Sequence, residues 1–168
     1  AVGGPDANLN VSIIDGDALS GQFHYYLLAE VLVLNELREA DAHSRRALAH
    51  KLKPLIAAPP AYLAVNRKGL PVVQVPNRSL VIAFSNEQIP IQLDSNDRRW
   101  LCLKTEAPRM PESESAALWA WFRSGGFESV GAWLHARDVR AFNPGAAPRM
   151  TDFKSMLVDN GMSLAESY

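Results

Sequence analysis

The chain has 168 residues, of which 48% are apolar and 21% are charged, a composition typical of one globular domain. This composition excludes a disordered or low-complexity chain. No apolar run approaches the roughly 18 to 20 residues that a membrane span requires, so we expect no membrane association. The single cysteine, Cys102, excludes an internal disulfide and a cysteine-based zinc site, and favours a reducing cytoplasm.

Acidic and basic residues are unevenly distributed along the chain. Residues 1–42 contain seven acids and one base, whereas residues 43–86 contain seven bases and no acid. Such a segment predicts a basic surface that contacts a polyanion. The alternative is that the seven bases are spread over several elements and form an ordinary solvated surface.

The first hundred residues predict alternating strands and helices. In chain order, we predict a strand at 11–14, a helix at 17–29, a strand at 31–34, a helix at 43–57 that Pro54 kinks or ends, a hairpin from 62–65 and 72–75, and strands at 80–84 and 100–103. The unbroken apolar run at 31–34 is typical of a strand in a parallel sheet buried on both faces.

The pattern becomes helical after Pro108 and Pro111. The chain has four tryptophans, Trp100, Trp119, Trp121 and Trp133. Their helical spacing with leucine and phenylalanine favours packing in a core over stacking on nucleic acid bases. The sequence therefore predicts an α/β core over residues 1–108 and a C-terminal helical subdomain over residues 109–168. Within the latter, Thr151 is expected to cap a last helix.

Two predicted strands end in side chains that suit phosphate chemistry. Asn35 and Glu36 follow one strand, and Ser85 and Asn86 follow the other. The carboxyl ends of parallel strands form the ligand-binding edge of a sheet. There a glutamate can orient and deprotonate the water that attacks a γ-phosphate, and an amide can contact that phosphate. Each pattern alone is also typical of a solvated strand end or a turn.

Two further basic patterns suit phosphate groups. In Asp97-Arg98-Arg99, the planar guanidinium of either arginine could complete a nucleotide site from a neighbouring subunit. The alternative is a surface Asp–Arg pair, which contributes little to stability. Arg67 and Lys68 precede Gly69 at the predicted hairpin tip, where they could contact the phosphates of single-stranded DNA without reading its bases. The alternative is an ordinary solvated tip.

In their order along the chain, these motifs resemble the second half of a superfamily 3 helicase domain of the phage and plasmid primase–helicase type, similar to the helicase domain of phage primase–polymerases. The ordered set is Asn35-Glu36, the helical segment 51–56, Arg67-Lys68-Gly69, Ser85-Asn86 and Asp97-Arg98-Arg99. The resemblance covers residues 15–155. It implies an α/β fold with a partial P-loop NTPase (AAA-like) core and a C-terminal helical subdomain. It also implies a homo-hexamer that couples ATP hydrolysis to translocation on single-stranded DNA.

The resemblance implies roles for individual residues. Glu36 would be the Walker B glutamate that activates water, Asn86 the sensor 1 asparagine, and Arg98 or Arg99 the arginine finger that acts in trans. Asn35 and Glu36 would hold the Mg²⁺ that accompanies ATP through metal-bound water.

The same resemblance places Arg67 and Lys68 on the hairpin that grips single-stranded DNA in the central channel of the hexamer.

The sequence departs from the family pattern at two points. Family Walker B strands end in Asp-Glu, and here Asn35 replaces the aspartate, which removes a negative charge that favours Mg²⁺. No G-x-x-x-x-G-K-[ST] phosphate-binding motif occurs in the chain. We therefore expect the chain, which starts at Ala1 rather than Met, to be a segment of a longer phage or mobile-element replication protein in the bacterial cytoplasm. Alone it should be inactive as an ATPase.

Two alternatives belong to other functional classes. An ATPase-inactive nucleic-acid-binding remnant predicts salt-dependent DNA binding without hydrolysis. A structural interaction domain predicts no DNA binding even at low salt.

Overall fold

A computed structural model describes residues 10–37, 41–56, 61–143 and 145–165. Strands and helices are interspersed up to residue 83, and the elements after residue 111 are helical. The prediction of a mixed α/β fold with parallel strands is confirmed. None of the helices in these ranges is both long enough and apolar enough to cross a membrane.

Three short strands form a parallel sheet: β1 (Val11–Ile14), β2 (Val31–Leu34) and β5 (Leu80–Ala83). The middle strand is β2, in which Val31 lies opposite Val11 on one side and Leu80 on the other. Leu32 and Leu34 on β2 are buried, because one face of the strand lies against the apolar core. The three strands occur where the apolar runs predict them.

An aspartate caps the start of α1 (Ala42–Leu52), the first long helix. Asp41 Oδ1 accepts a hydrogen bond from the Ser44 backbone N–H at 2.9 Å, and Asp41 Oδ2 accepts one from the Ser44 hydroxyl at 2.9 Å. These bonds hold the pKa of the Asp41 carboxyl below its ordinary value. The helix ends at Leu52 because Pro54 has no N–H to continue it. The predicted end at residue 57 lies outside the described residues.

An antiparallel hairpin connects α1 to the last strand of the parallel sheet. It consists of β3 (Tyr62–Val65) and β4 (Val73–Pro76), with Val65 opposite Val73. Leu63 and Val65 are buried in the same core as β2, which fixes the hairpin to the parallel sheet through its side chains. The predicted hairpin is confirmed.

The predicted continuous helix over 17–29 is wrong. Two short 3₁₀ helices occupy this region, Asp17–Ser20 and Tyr25–Leu28. Gly21 ends the first of them, because its backbone is extended (φ −69°, ψ 161°). The start of the first helix is fixed by Asp15, whose Oδ1 accepts a hydrogen bond from the Ala18 N–H at 3.2 Å.

The predicted strand over 100–103 is also wrong, since this segment pairs with no strand among the described residues. Side chains at the start of α4 (Asp152–Ala165) bind its carbonyl groups instead. The Lys154 ammonium donates to the Trp100 carbonyl at 2.8 Å, and the Thr151 hydroxyl donates to the Cys102 carbonyl. Thr151 also accepts the Lys154 N–H at 3.1 Å, as predicted for a helix cap.

The chain divides into two compact units in a different way from the predicted boundary at residue 108. One unit takes in the chain up to Cys102 and from Pro148 onward, and the other is Leu103–Ala147. The last helix, α4, belongs to the first unit rather than to a helical subdomain over 109–168. The reason is that Leu157 and Val158 on α4 are buried in the core around β2.

The unit Leu103–Ala147 contains two helices, α2 (Glu112–Trp121) and α3 (Phe127–Ala136). A π-type turn over Phe122–Gly126 joins them, with Gly125 in the left-handed region (φ 105°). The Phe122 ring stacks on Phe127 with centroids 4.7 Å apart and packs against Trp121 with centroids 4.9 Å apart.

The prediction that the four tryptophans pack in a core is wrong for the three on these helices, whereas Trp100 packs partly buried against the core. Trp119, Trp121 and Trp133 are 54%, 45% and 61% exposed. The helical spacing does produce apolar faces, but neither α2 nor α3 has a buried residue.

Candidate functional site

The predicted polar residues at two strand ends lie at the same edge of the parallel sheet. Leu34 on β2 lies opposite Ala83 on β5, and the two strands run in the same direction. The chain that leaves β2 through Asn35 and Glu36 is therefore adjacent to the chain that leaves β5 through Ser85 and Asn86. Asn35, Glu36 and Asn86 are exposed there. We call this set of residues the strand-end site.

Glu36 has a left-handed backbone conformation, with φ of 54°. Its two neighbours continue the pattern of the sheet. The Asn35 N–H donates to the Ile14 carbonyl at 2.8 Å, and the Leu37 N–H donates to the Phe84 carbonyl at 2.9 Å. A left-handed residue other than glycine costs about 1–3 kcal/mol and persists where its surroundings impose it. Glu36 is thus held in an unfavourable conformation between two fixed points.

Ser85 links the two strand ends, a role that the sequence reasoning missed. Its hydroxyl donates to the Leu37 carbonyl at 2.7 Å and accepts the Glu87 N–H at 3.0 Å. These bonds fix the chain directly after Glu36 and on both sides of Asn86. The sequence offered one signal for this role. Ser85 is a hydroxyl residue close after one strand, and the neighbouring strand also ends in polar residues.

The two basic residues at the hairpin tip differ in their exposure. Lys68 is exposed, whereas Arg67 is half-buried and its Nε makes no hydrogen bond within the described part of the chain. The tip turns at Gly69 (φ 72°), where the Leu70 N–H donates to the Arg67 carbonyl at 3.1 Å. Lys68 is therefore the better placed of the pair for contact with an anion.

Nearby backbone groups hold the base of this tip. The Asn66 carbonyl accepts the His24 N–H at 2.8 Å, and the Asn66 side-chain amide donates to the Gln22 carbonyl at 2.9 Å. The tip is thereby tied to the segment that precedes β2.

Arg98 and Arg99 lie on a tight turn over residues 97–100, which we call the arginine turn. Asp97 Oδ1 accepts the backbone N–H of Arg99 at 3.1 Å and that of Trp100 at 3.0 Å. Both arginines are exposed. Asp97 thus binds the backbone of the turn, and its ion-pair partner comes from a distant element.

That partner is Lys154 on α4, which sequence reasoning also missed. Lys154 Nζ lies 3.1 Å from Asp97 Oδ1, and it donates to the carbonyls of Asp97 at 2.9 Å and Trp100 at 2.8 Å. The Lys154 side chain is 1% exposed and that of Asp97 is 7% exposed. The sequence signal for this contact was the position of Lys154, a charged residue between Phe153 and Leu157 on the apolar face of the last helix.

A second lysine binds the segment that leads into the arginine turn. Lys53, just after α1, donates to Asp94 Oδ2 at 2.9 Å. This hydrogen bond, followed by the charges of Lys53, His50 and Arg46, holds the pKa of the Asp94 carboxyl below its ordinary value. Lys53, one of the basic residues of the acid-free segment 43–86, is therefore paired with an acid outside that segment.

The described residues contain no group of three or more histidine, cysteine or acidic side chains that could form a metal cage. At the strand-end site, Asn35 and Glu36 offer one amide and one carboxylate. This donor set fits Mg²⁺, which keeps several waters and is commonly bound by one or two carboxylates together with substrate phosphates.

Residues 3–99, more than half of the chain, match a family described as a family of unknown function (DUF5906). The chain belongs to the DUF5906 family. The DUF5906 match includes the strand-end site, the hairpin tip and both arginines of the arginine turn, whereas Lys154 lies beyond it.

A protein similar to this DUF5906 chain is the DNA primase-polymerase of Nitratiruptor phage NrS-1. The two are 32% identical over 96 residues, which make up 56% of this chain and 13% of the phage protein. The predicted resemblance to phage primase–polymerases is confirmed as homology to this protein.

Apo structures of the C-terminal region of NrS-1 have a similar fold. Two of them match with TM-scores of 0.74 and 0.70 at 24% and 23% identity. Each match covers 92% of this DUF5906 chain, but only 37% and 36% of the respective structure. The chain thus spans little more than a third of the region to which its fold corresponds.

Proposed function

We propose that this chain is the Walker B to arginine-finger part of a superfamily 3 helicase domain in a phage replication protein. The parent protein would couple ATP hydrolysis to translocation on single-stranded DNA. The observation that carries the proposal is the strand-end site, in which Glu36 and Asn86 leave adjacent parallel strands at one edge. Homology to a phage primase-polymerase supports the replication context.

In the proposed reaction, the Glu36 carboxylate accepts a proton from the water that attacks the γ-phosphate of ATP. The constrained left-handed conformation of Glu36 supports this role, because strained residues cluster at functional sites. The Asn86 amide donates a hydrogen bond to a γ-phosphate oxygen and helps to orient the water. Ser85 keeps the two chain segments in register through its bond to the Leu37 carbonyl.

Asn35 and Glu36 would hold Mg²⁺ through water at the same edge. When bound, Mg²⁺ would supply positive charge to neutralise the phosphates of ATP. Because the chain contains no phosphate-binding loop motif, the proposal requires that loop to come from another part of the parent protein.

The free edge of β5 supports the addition of another strand there. Among the described strands, β5 pairs only with β2. The side chains of Leu80 and Ile82 on β5, and of Phe84 directly after it, are exposed. A strand that led into a phosphate-binding loop would place that loop beside Asn86.

Arg98 and Arg99 would act in trans on ATP bound to a neighbouring copy in a homo-hexamer. Their exposure on a fixed turn supports this role, since an arginine finger must extend beyond its own subunit. Lys68, with Arg67, would contact the phosphates of single-stranded DNA.

A second candidate function is nucleic-acid binding without ATP hydrolysis. The exposed Lys68 tip supports this candidate as much as it supports the helicase, because phosphate contact at the tip requires no nucleotide site.

The experiment that separates the two candidates is a measurement of ATP hydrolysis with and without single-stranded DNA. It uses the protein encoded by the complete open reading frame. Hydrolysis that single-stranded DNA stimulates is the expected result. Salt-dependent DNA binding without any hydrolysis would support the second candidate and exclude the first.

A further inference from the structure

The arginine turn closes around a single buried ammonium group. Lys154 Nζ contacts the Asp97 carbonyl at 2.9 Å, the Trp100 carbonyl at 2.8 Å and Asp97 Oδ1 at 3.1 Å. The two carbonyl contacts are hydrogen bonds, and the carboxylate contact is an ion pair. The two carbonyls belong to the residues that flank Arg98 and Arg99, so one side chain from α4 holds both ends of the arginine pair.

We propose that Lys154 is a positioning residue that fixes the arginine turn so that Arg98 and Arg99 reach phosphate groups bound by a neighbouring copy. This inference rests on the proposed function. Lys154 touches neither nucleotide nor water in this scheme, and it acts through the two arginines.

Burial argues for a positioning role rather than a role in stability. Removing a lysine and an aspartate from water costs several kcal/mol, and well-packed apolar residues of similar volume often replace such a pair without loss of stability. Apolar side chains could not bind the two carbonyls or the two N–H groups of the turn. The pair therefore supplies a defined backbone geometry that a hydrophobic contact at this place would lack.

Asp97 completes this geometry from the opposite side. Its Oδ1 receives the Arg99 and Trp100 N–H groups as well as the Lys154 ammonium. The Asp97 carboxylate is thus used inside the turn, while both guanidiniums are directed to the exposed surface. An arginine finger depends on such preorganisation, because a displacement of about 1 Å can cost on the order of 100-fold in rate.

The test is a double-mutant cycle on ATP hydrolysis by the protein from the complete open reading frame. One arm replaces the pair together, as Asp97→Asn with Lys154→Met, so that no buried charge is left unpaired. The other arm is Arg98→Ala with Arg99→Ala, and the third protein combines all four changes. Lys53→Met is the matched control, because Lys53 binds Asp94 in the same segment at a partly exposed position.

We expect the Asp97/Lys154 variant to lose about 100-fold in kcat with the KM for ATP within about threefold. In the background without the two arginines, the same change should have less than about a threefold effect, because Lys154 then has nothing to position. The Lys53 control should retain more than about half of the wild-type kcat.

Provided that the wild-type protein hydrolyses ATP, three results would overturn the proposal. They are an unchanged kcat, an equal loss in both backgrounds, or an unfolded Asp97/Lys154 variant, which would assign the pair to the fold alone. A wild-type protein without any ATP hydrolysis would instead overturn the proposed function on which this inference rests.

Discussion

Lys154 and Asp97 form a buried ion pair, with Lys154 Nζ 3.1 Å from Asp97 Oδ1. The two residues lie 57 positions apart in the sequence. Their contact joins the last helix to the arginine turn. Since the pair also binds four backbone groups of the turn, the conformation around Arg98 and Arg99 depends on a residue outside the DUF5906 match.

Replacing Lys154 alone with methionine should strongly destabilise the chain. The Asp97 carboxylate would remain buried without its counter-charge, and breaking a buried pair in this way costs about 3–5 kcal/mol. Urea unfolding of the chain measures the loss. Lys53→Met is the control, since its pair with Asp94 is partly exposed and contributes less than about 1 kcal/mol. Similar losses in the two variants would contradict this account of the Lys154 pair.

Glu36→Gly should leave the chain more stable than Glu36→Ala does. Both variants remove the carboxylate, but alanine keeps the penalty of the left-handed conformation at φ 54° and glycine does not. The expected difference in the free energy of unfolding is about 1–2 kcal/mol in favour of glycine. Denaturant unfolding of both variants measures it. Greater stability of the alanine variant, as in most regular structure, would show that the left-handed conformation is not maintained.

Lys68→Ala should weaken binding to single-stranded DNA regardless of base sequence. Loss of one phosphate contact should reduce affinity up to about fivefold at low salt. It should also reduce the slope of log K against log salt by about 0.7. Fluorescence anisotropy with a labelled oligonucleotide gives both quantities. Arg78→Ala is the matched control, since Arg78 is an exposed base of the same acid-free segment away from the tip. Equal losses in the two variants would remove the special role of the hairpin tip.

The Lys53–Asp94 pair should stabilise the fold in a pH-dependent way. The pKa of Asp94 lies below its ordinary value in the folded chain, chiefly because Lys53 donates a hydrogen bond to it. The contribution is therefore present above the unfolded pKa of about 4 and is lost as the pH falls through the folded pKa. Unfolding of wild type and Asp94→Asn from about pH 6 to about pH 2.5 should show a small stability difference that closes in acid. A difference that stays constant across this range would contradict the assignment.

The parallel strands and their polar ends could be predicted because their signals are local. An unbroken apolar run such as 31–34 indicates a buried strand, and the polar residues that follow it must leave at its carboxyl end. The strand-end site follows from two such runs once they are neighbours. The left-handed conformation of Glu36 could not be predicted, because bonds to β1 and β5 impose it.

The conformation of segment 100–103 and its contact with the last helix could not be predicted, because both depend on residues far apart in the sequence. Trp100-Leu101-Cys102-Leu103 has the apolar pattern of a strand, yet Lys154 and Thr151 bind its carbonyls. No local pattern records a partner so far along the chain. The tryptophans of α2 and α3 likewise show helical spacing, and their exposure depends on which elements surround them rather than on that spacing.

The most direct test of the proposed function is the rate of ATP hydrolysis by the Glu36→Gln variant of the protein from the complete open reading frame. Glutamine keeps the size of the side chain but cannot accept the proton of the attacking water. We expect kcat to fall at least about 100-fold while the Kd for ATP stays within about threefold of wild type. An unchanged kcat in a wild-type-like folded protein would remove Glu36 from the mechanism and contradict the proposed function.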